Sequence, residues 1–180
     1  VTGIHIGGSG NALNSFYDIY VGIKAIRSSL LVTNSEFVNL KNYNTQPPQK
    51  GVGILAQNGT ATACTLEVDS RFRNLYRGIF SSGNFDVTIQ DCEYFRDIDG
   101  EAISINCLNY PNTIIIDGVE EFTNTNIGVR VSGSKLFSVT VSDNIFSNTN
   151  FVETSTGPFH NTAITLQGIG NVTGSMEVYG

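Results

Sequence analysis

The run DCEYFRDIDGE and the VEEF that follows it gather seven carboxylates in a chain otherwise sparing with charge: Asp91, Glu93, Asp97, Asp99, Glu101, Glu120 and Glu121. Asp97, Asp99 and Glu101 alternate, so an extended strand puts them on one face, and clustered carboxylate oxygens suit calcium. The string DIDGE resembles the start of a calcium loop but lacks its further ligands. A solvated acidic rim is the competing reading. Arg71, Arg73 and Arg77 lie just upstream and Arg96 within the run, bordered by Tyr76 and Tyr94. Tyrosine rings stack on sugars and guanidinium groups bond to oxygen-rich ligands, which makes Arg71, Tyr76, Arg77 and Tyr94 ligand-binding candidates. Tyr17, Tyr20, Tyr43 and Tyr110 widen the aromatic set. The alternative is that tyrosines cover edges while arginines pair with neighbours such as Glu36.

Other chemistries find little support. Cys64, Cys92 and Cys107 have no C-x-x-C spacing, and His5 and His160 are the only histidines, so a structural zinc site is not expected. Cys92 falls where a repeat elsewhere carries Ser35 and Ser70, and reads as a small buried side chain; a Cys64–Cys107 bridge remains open. Ten basic residues scattered among sixteen acidic ones, with net charge −6, argue against a nucleic-acid partner. No apolar run is long enough to span a membrane, and VTGIHIGGSG lacks the pattern of a signal peptide. Asn58 and Asn171 lie in N-x-T triplets that accept glycans where the source glycosylates asparagine.

The elements that must position these side chains follow from an internal repeat. Phe16, Phe37, Phe72, Phe95, Phe122 and Phe146 recur at steps of 21, 35, 23, 27 and 24, and the long step contains the inserted KNYNTQPPQK, residues 41–50. Before each Phe comes a period-2 pair such as Leu66/Val68, Val87/Ile89 or Ile114/Ile116. Two residues after it comes Asp18, Asn39, Asn74, Asp97, Asn124 or Asn148. A small residue followed by a β-branched one closes the frame, as in Gly22-Ile23, Gly53-Ile54, Gly78-Ile79, Ala102-Ile103, Gly128-Val129 and Ala163-Ile164, with Gly3-Ile4 read as a seventh instance. Like residues in like places predict stacked parallel strands, an apolar interior and a corner ladder of Asn and Asp side chains. On this frame Arg73 and Arg96 occupy one column, as do Glu36 and Arg71. Helical periodicity is missing.

The frame written by LEVDSRFRNLYRGIFS and SVTVSDNIFSNT resembles the right-handed parallel β-helix repeat of the pectate-lyase-like superfamily, and in style the β-helical regions of large secreted bacterial surface proteins. The resemblance implies an all-β solenoid of about seven coils over residues 1–180, one domain with loop insertions at 41–50 and 153–161. It also implies, for an enzyme, calcium on Asp97, Asp99 and Glu101 with Arg73 or Arg96 as the base of a polysaccharide lyase. The hydrolase groups N-T-D, D-D, H-G and R-I-K do not occur.

The expected function is a non-catalytic structural or adhesive module of a secreted or cell-surface bacterial protein, binding glycan or a surface protein through outer-face loops. A calcium-dependent lyase is the alternative, and a trimeric phage or surface spike a further one. The opening VTGIHI and closing SMEVYG both fit strands within a longer array, so flanking coils or another domain are expected as partners in the same chain.

Overall fold

A computed structural model describes residues 3–7, 12–42, 49–108, 110–133, 138–147, 162–168 and 176–178. These are all-β, without a helix, and so contain no helix long and apolar enough to cross a membrane. Strands pair in parallel along three ladders. The first runs through β1 (Ile4–Gly7), the start of β4 (Leu30–Val38), the start of β8 (Cys64–Leu75), β10 (Phe85–Gln90), β12 (Thr113–Asp117), β14 (Ser138–Ser142) and β17 (Met176–Val178). The second joins β2 (Asn14–Phe16), the later parts of β4 and β8, the starts of β11 (Tyr94–Asn106) and β13 (Phe122–Gly133), and β15 (Phe146–Ser147). The third joins β3 (Val21–Ile26), β7 (Val52–Asn58), β9 (Arg77–Gly83), the later parts of β11 and β13, and β16 (Thr162–Gly168).

The register matches like residue to like residue. Phe16, Phe37, Phe72, Phe95, Phe122 and Phe146 are successive partners in the second ladder. Their rings stack with centroids 4.5–5.2 Å apart and planes within 9° of parallel. That separation is close to the strand spacing, so backbone and rings repeat in step. In the third ladder Ile23, Ile54, Ile79, Ile103, Val129 and Ile164 align likewise. The residue before each of these is small for a steric reason. A Cβ added at Gly22, Gly53, Gly78 or Gly128 would stand 2.6–2.8 Å from the ring of Phe37, Phe72, Phe95 or Phe146.

One column was misread from sequence. Ile4 pairs with Leu30, not with the Gly-Ile series, and heads the first ladder, Ile4–Leu30–Leu66–Val87–Ile114–Val139–Met176. A Gly-Ile dipeptide opening an alternating strand looks alike in either ladder, which is why the motif alone misassigned it.

The polar corner residue has a backbone cause. Asp18, Asn39, Asn74, Asp97 and Asn124 all have φ between 52° and 57°, the left-handed region that Asn and Asp tolerate better than other side chains. Two side-chain links of the expected ladder are present, Asn74 to Asn39 and Asn124 to Asp97; Asn148 lies outside the described residues. A second ladder, not foreseen, is buried at another corner. Asn112 Nδ2 donates to Asn84 Oδ1 at 3.0 Å, and Asn58 Nδ2 donates to the Asn84 carbonyl at 2.8 Å. Asn58 also holds Thr60 and Thr62, so its side-chain amide is buried and engaged within the fold. The three cysteines are free, which removes the Cys64–Cys107 bridge. Burial pushes the Cys92 thiol up to about 12 and the Cys107 thiol up to about 11. Cys92 Sγ accepts from the Ser70 amide, as a small core side chain would.

Truncating the fully buried Phe72 to Ala should cost ~3–5 kcal/mol in denaturant unfolding. Phe16→Ala, at the half-buried end of the stack, should cost clearly less; equal losses would contradict the stacking account.

Candidate functional site

The charged residues singled out from sequence, the buried Glu101 apart, are placed on outer faces, and most are engaged with one another. On the second ladder Glu36, Arg71 and Tyr94 are register partners, and Arg73 aligns with Arg96. Arg71 pairs with Glu93, Arg96 with Glu121, and Arg73 lies 3.9 Å from Glu36. Tyr94 donates its hydroxyl to Glu36 at 2.8 Å while Arg96 covers its ring at 5.0 Å. Burial, then that hydrogen bond, push the Tyr94 hydroxyl up to about 12.

The three carboxylates considered for calcium are each held by different partners. Asp97 occupies its left-handed corner beside Asn124, Asp99 pairs with Lys50 at 2.8 Å, and Glu101 lies between Arg77 at 2.5 Å and Arg130 at 3.3 Å. Among the described residues no group of three or more His, Cys, Asp or Glu is arranged to hold a metal. Asp91, Glu93 and Glu120 instead line a cleft of about 170 Å³ with Asn34, Asp69 and Arg71. There partial burial and the Asp91 charge raise the Asp69 carboxyl, against the opposing pull of Arg71.

The cleft with free aromatic surface lies elsewhere. At the corner between the second and third ladders the two ends of the 41–50 insertion pair as a short antiparallel ribbon, β5 (Lys41–Asn42) with β6 (Gln49–Lys50). Beside it a cleft of about 680 Å³ is lined by Tyr20, Gln49, Lys50, Tyr76 and Asp99. Tyr20 and Tyr76 are each 45% exposed, enough to leave much of both rings to a ligand.

Their placement follows from the corner backbone. Tyr20 precedes β3 and Tyr76 precedes β9, while the intervening strand β7 is preceded by Gly51 and the next corner has Gly100. Tyr20 accepts from the Val52 amide, Gly51 from the Tyr76 amide, and Tyr76 from the Gly100 amide. A Cβ at Gly100 would come within 3.2 Å of the Tyr76 ring, so glycine there lets the ring lie against the backbone. Arg77, 5.2 Å from the Tyr76 ring centre, helps fix it. Large and minimal side chains therefore alternate along this corner.

Sequence reasoning named Tyr20 and Tyr76, and separately the 41–50 insertion, but did not join them. It missed Lys50 and Gln49, whose role depends on the ribbon register. The tip of that insertion with Tyr43, the 153–161 insertion with His160, and Asn171 lie outside the described residues. Tyr17 is exposed, and the Tyr110 hydroxyl donates to the Gly59 carbonyl at 3.1 Å. Comparison with known proteins returns no match: no family model, curated protein or solved structure is significantly similar to the chain.

Burial alone would raise the Glu101 carboxyl, but the hydrogen bond and charge of Arg77, with help from Arg130, outweigh it and hold the group below the usual glutamate range. A depressed folded pKa means stability present above the unfolded value of about 4.3 and lost as pH falls through the folded one. Unfolding free energy should therefore drop on acidification below about pH 4.3, and Glu101→Gln should be weaker at neutral pH with a shallower acid slope. Denaturant titrations at several pH values check this; an unchanged acid slope contradicts it.

Proposed function

We propose that the chain winds as a right-handed parallel β-helix of about seven coils and serves as a rigid, non-catalytic module that binds glycan at the Tyr20–Tyr76 cleft. The winding reading is supported by the three parallel ladders, visited in the same order by successive repeats and kept in one register. Right-handedness is the rule for parallel crossovers within one sheet. The extracellular or bacterial cell-surface setting is part of the same proposal: little charge, short polar side chains at corners and a stiff stack suit a spacer that presents loops. Its partners would be a glycan or a surface protein, and neighbouring parts of the same chain.

The observation that carries the binding role is the cleft itself. Two half-exposed tyrosines offer apolar ring faces, while the Lys50–Asp99 pair and Gln49 supply donors and acceptors at the rim. A few polar groups beside aromatic surface is the usual make-up of a site that orients a small ligand. The arginines of the second ladder, by contrast, are engaged with carboxylates.

A glycan array followed by calorimetry on the strongest hit tests the reading. Wild type should bind, and Tyr20→Ala and Tyr76→Ala should each weaken binding about tenfold while the protein stays folded. Arg73→Ala and Arg96→Ala should bind as wild type. Unaltered binding by both tyrosine variants, or no glycan bound at all, would sink the proposal.

A further inference from the structure

The spacing of the two tyrosines carries the reading further. Strand β3 pairs with β7 and β7 with β9, so Tyr20 and Tyr76, at the heads of β3 and β9, are two strand spacings apart, about 9.6 Å along the stacking direction. The corner between them carries Gly51, where a Cβ would stand 2.2 Å from the Tyr20 carbonyl oxygen, so glycine is what lets the two backbones pack at that rung. An extended β-1,4-linked chain presents the same ring face at every second sugar, a repeat close to that distance. The cleft is also electrically balanced: Lys50 and Asp99 neutralise each other at 2.8 Å, and the nearby Arg77 guanidinium is bonded to Glu101 at 2.5 Å.

We infer that the cleft takes an uncharged, linear β-1,4-linked glycan lying parallel to the stacking direction, with sugar n on one tyrosine and sugar n+2 on the other. This rests on the glycan-binding reading above and adds the ligand's charge, linkage and direction. A disaccharide reaches one tyrosine; a trisaccharide is the shortest chain that reaches both.

The test is a calorimetric length series on the whole chain with cellobiose, cellotriose and cellotetraose, alongside maltotriose and trigalacturonate. Cellotriose should bind about tenfold tighter than cellobiose, with little further gain for cellotetraose, since one added aromatic contact is worth roughly that factor. The cellotriose advantage should vanish in Tyr20→Ala and persist in Tyr20→Trp, whose ring replaces the lost one; a thermal melt of each variant confirms folding. Equal affinity for cellobiose and cellotriose, or for cellotriose and maltotriose, overturns the axial β-linked assignment while leaving glycan binding intact. Preference for trigalacturonate overturns the uncharged assignment. Absence of binding to every glycan tried overturns the cleft reading along with this one.

Discussion

Everything in this molecule depends on keeping a stack of phenylalanine rings in step with a stack of strands. Strand spacing in a parallel sheet is about 4.8 Å, and the six rings repeat at 4.5–5.2 Å, so each rung delivers one ring onto the last without distorting the backbone. The match has consequences at fixed distances along the chain. Two residues past the ring the chain turns through a left-handed residue, which selects Asn or Asp. Further on it passes so near a neighbouring ring that only a small side chain fits. A one-residue slip in any rung would put a polar side chain into the ring stack, which is why register is held so strictly.

That coupling explains what was legible in the sequence. Phe72, Ile79, Asn74 and Gly78 each recur because a local constraint repeats on every rung, and a repeated constraint leaves a column. Ile4 shows the limit: the dipeptide Gly3-Ile4 fits two ladders, and only pairing with Leu30 decides between them. The buried Asn58–Asn84–Asn112 network left no column, because its members come from a strand end, a one-residue bend and an irregular connection. Ion pairs were legible only where register alone fixes them. The Glu36 and Arg71 columns do align, yet Arg71 pairs with Glu93, because long side chains choose among several neighbours within reach.

The distribution of charge separates scaffold from site. Arginines and carboxylates on the outer faces neutralise one another, and the buried Glu101 is held between two guanidinium groups. The exposed pairs contribute little stability, about 0–1 kcal/mol each, whereas the Glu101 pairs are partly shielded from solvent. The Tyr20–Tyr76 corner differs in kind. Aromatic surface is left uncovered there, on a cleft beside the base of the 41–50 insertion. An insertion costs a stacked scaffold little when it leaves from a corner, since the ladders on either side stay paired.

One register runs through the first ladder, where Leu31, Glu67, Thr88, Ile115 and Thr140 are successive partners. Spin labels at Leu31→Cys and Thr140→Cys would measure it directly, with Cys64 replaced by Ser and Cys92 and Cys107 shielded from the label by burial. Four strand spacings give about 19 Å between the two backbone positions. A single narrow distance distribution near that value, widened only by label linkers, is the predicted result. A broad distribution, or a distance far from that value, would contradict the stacked register.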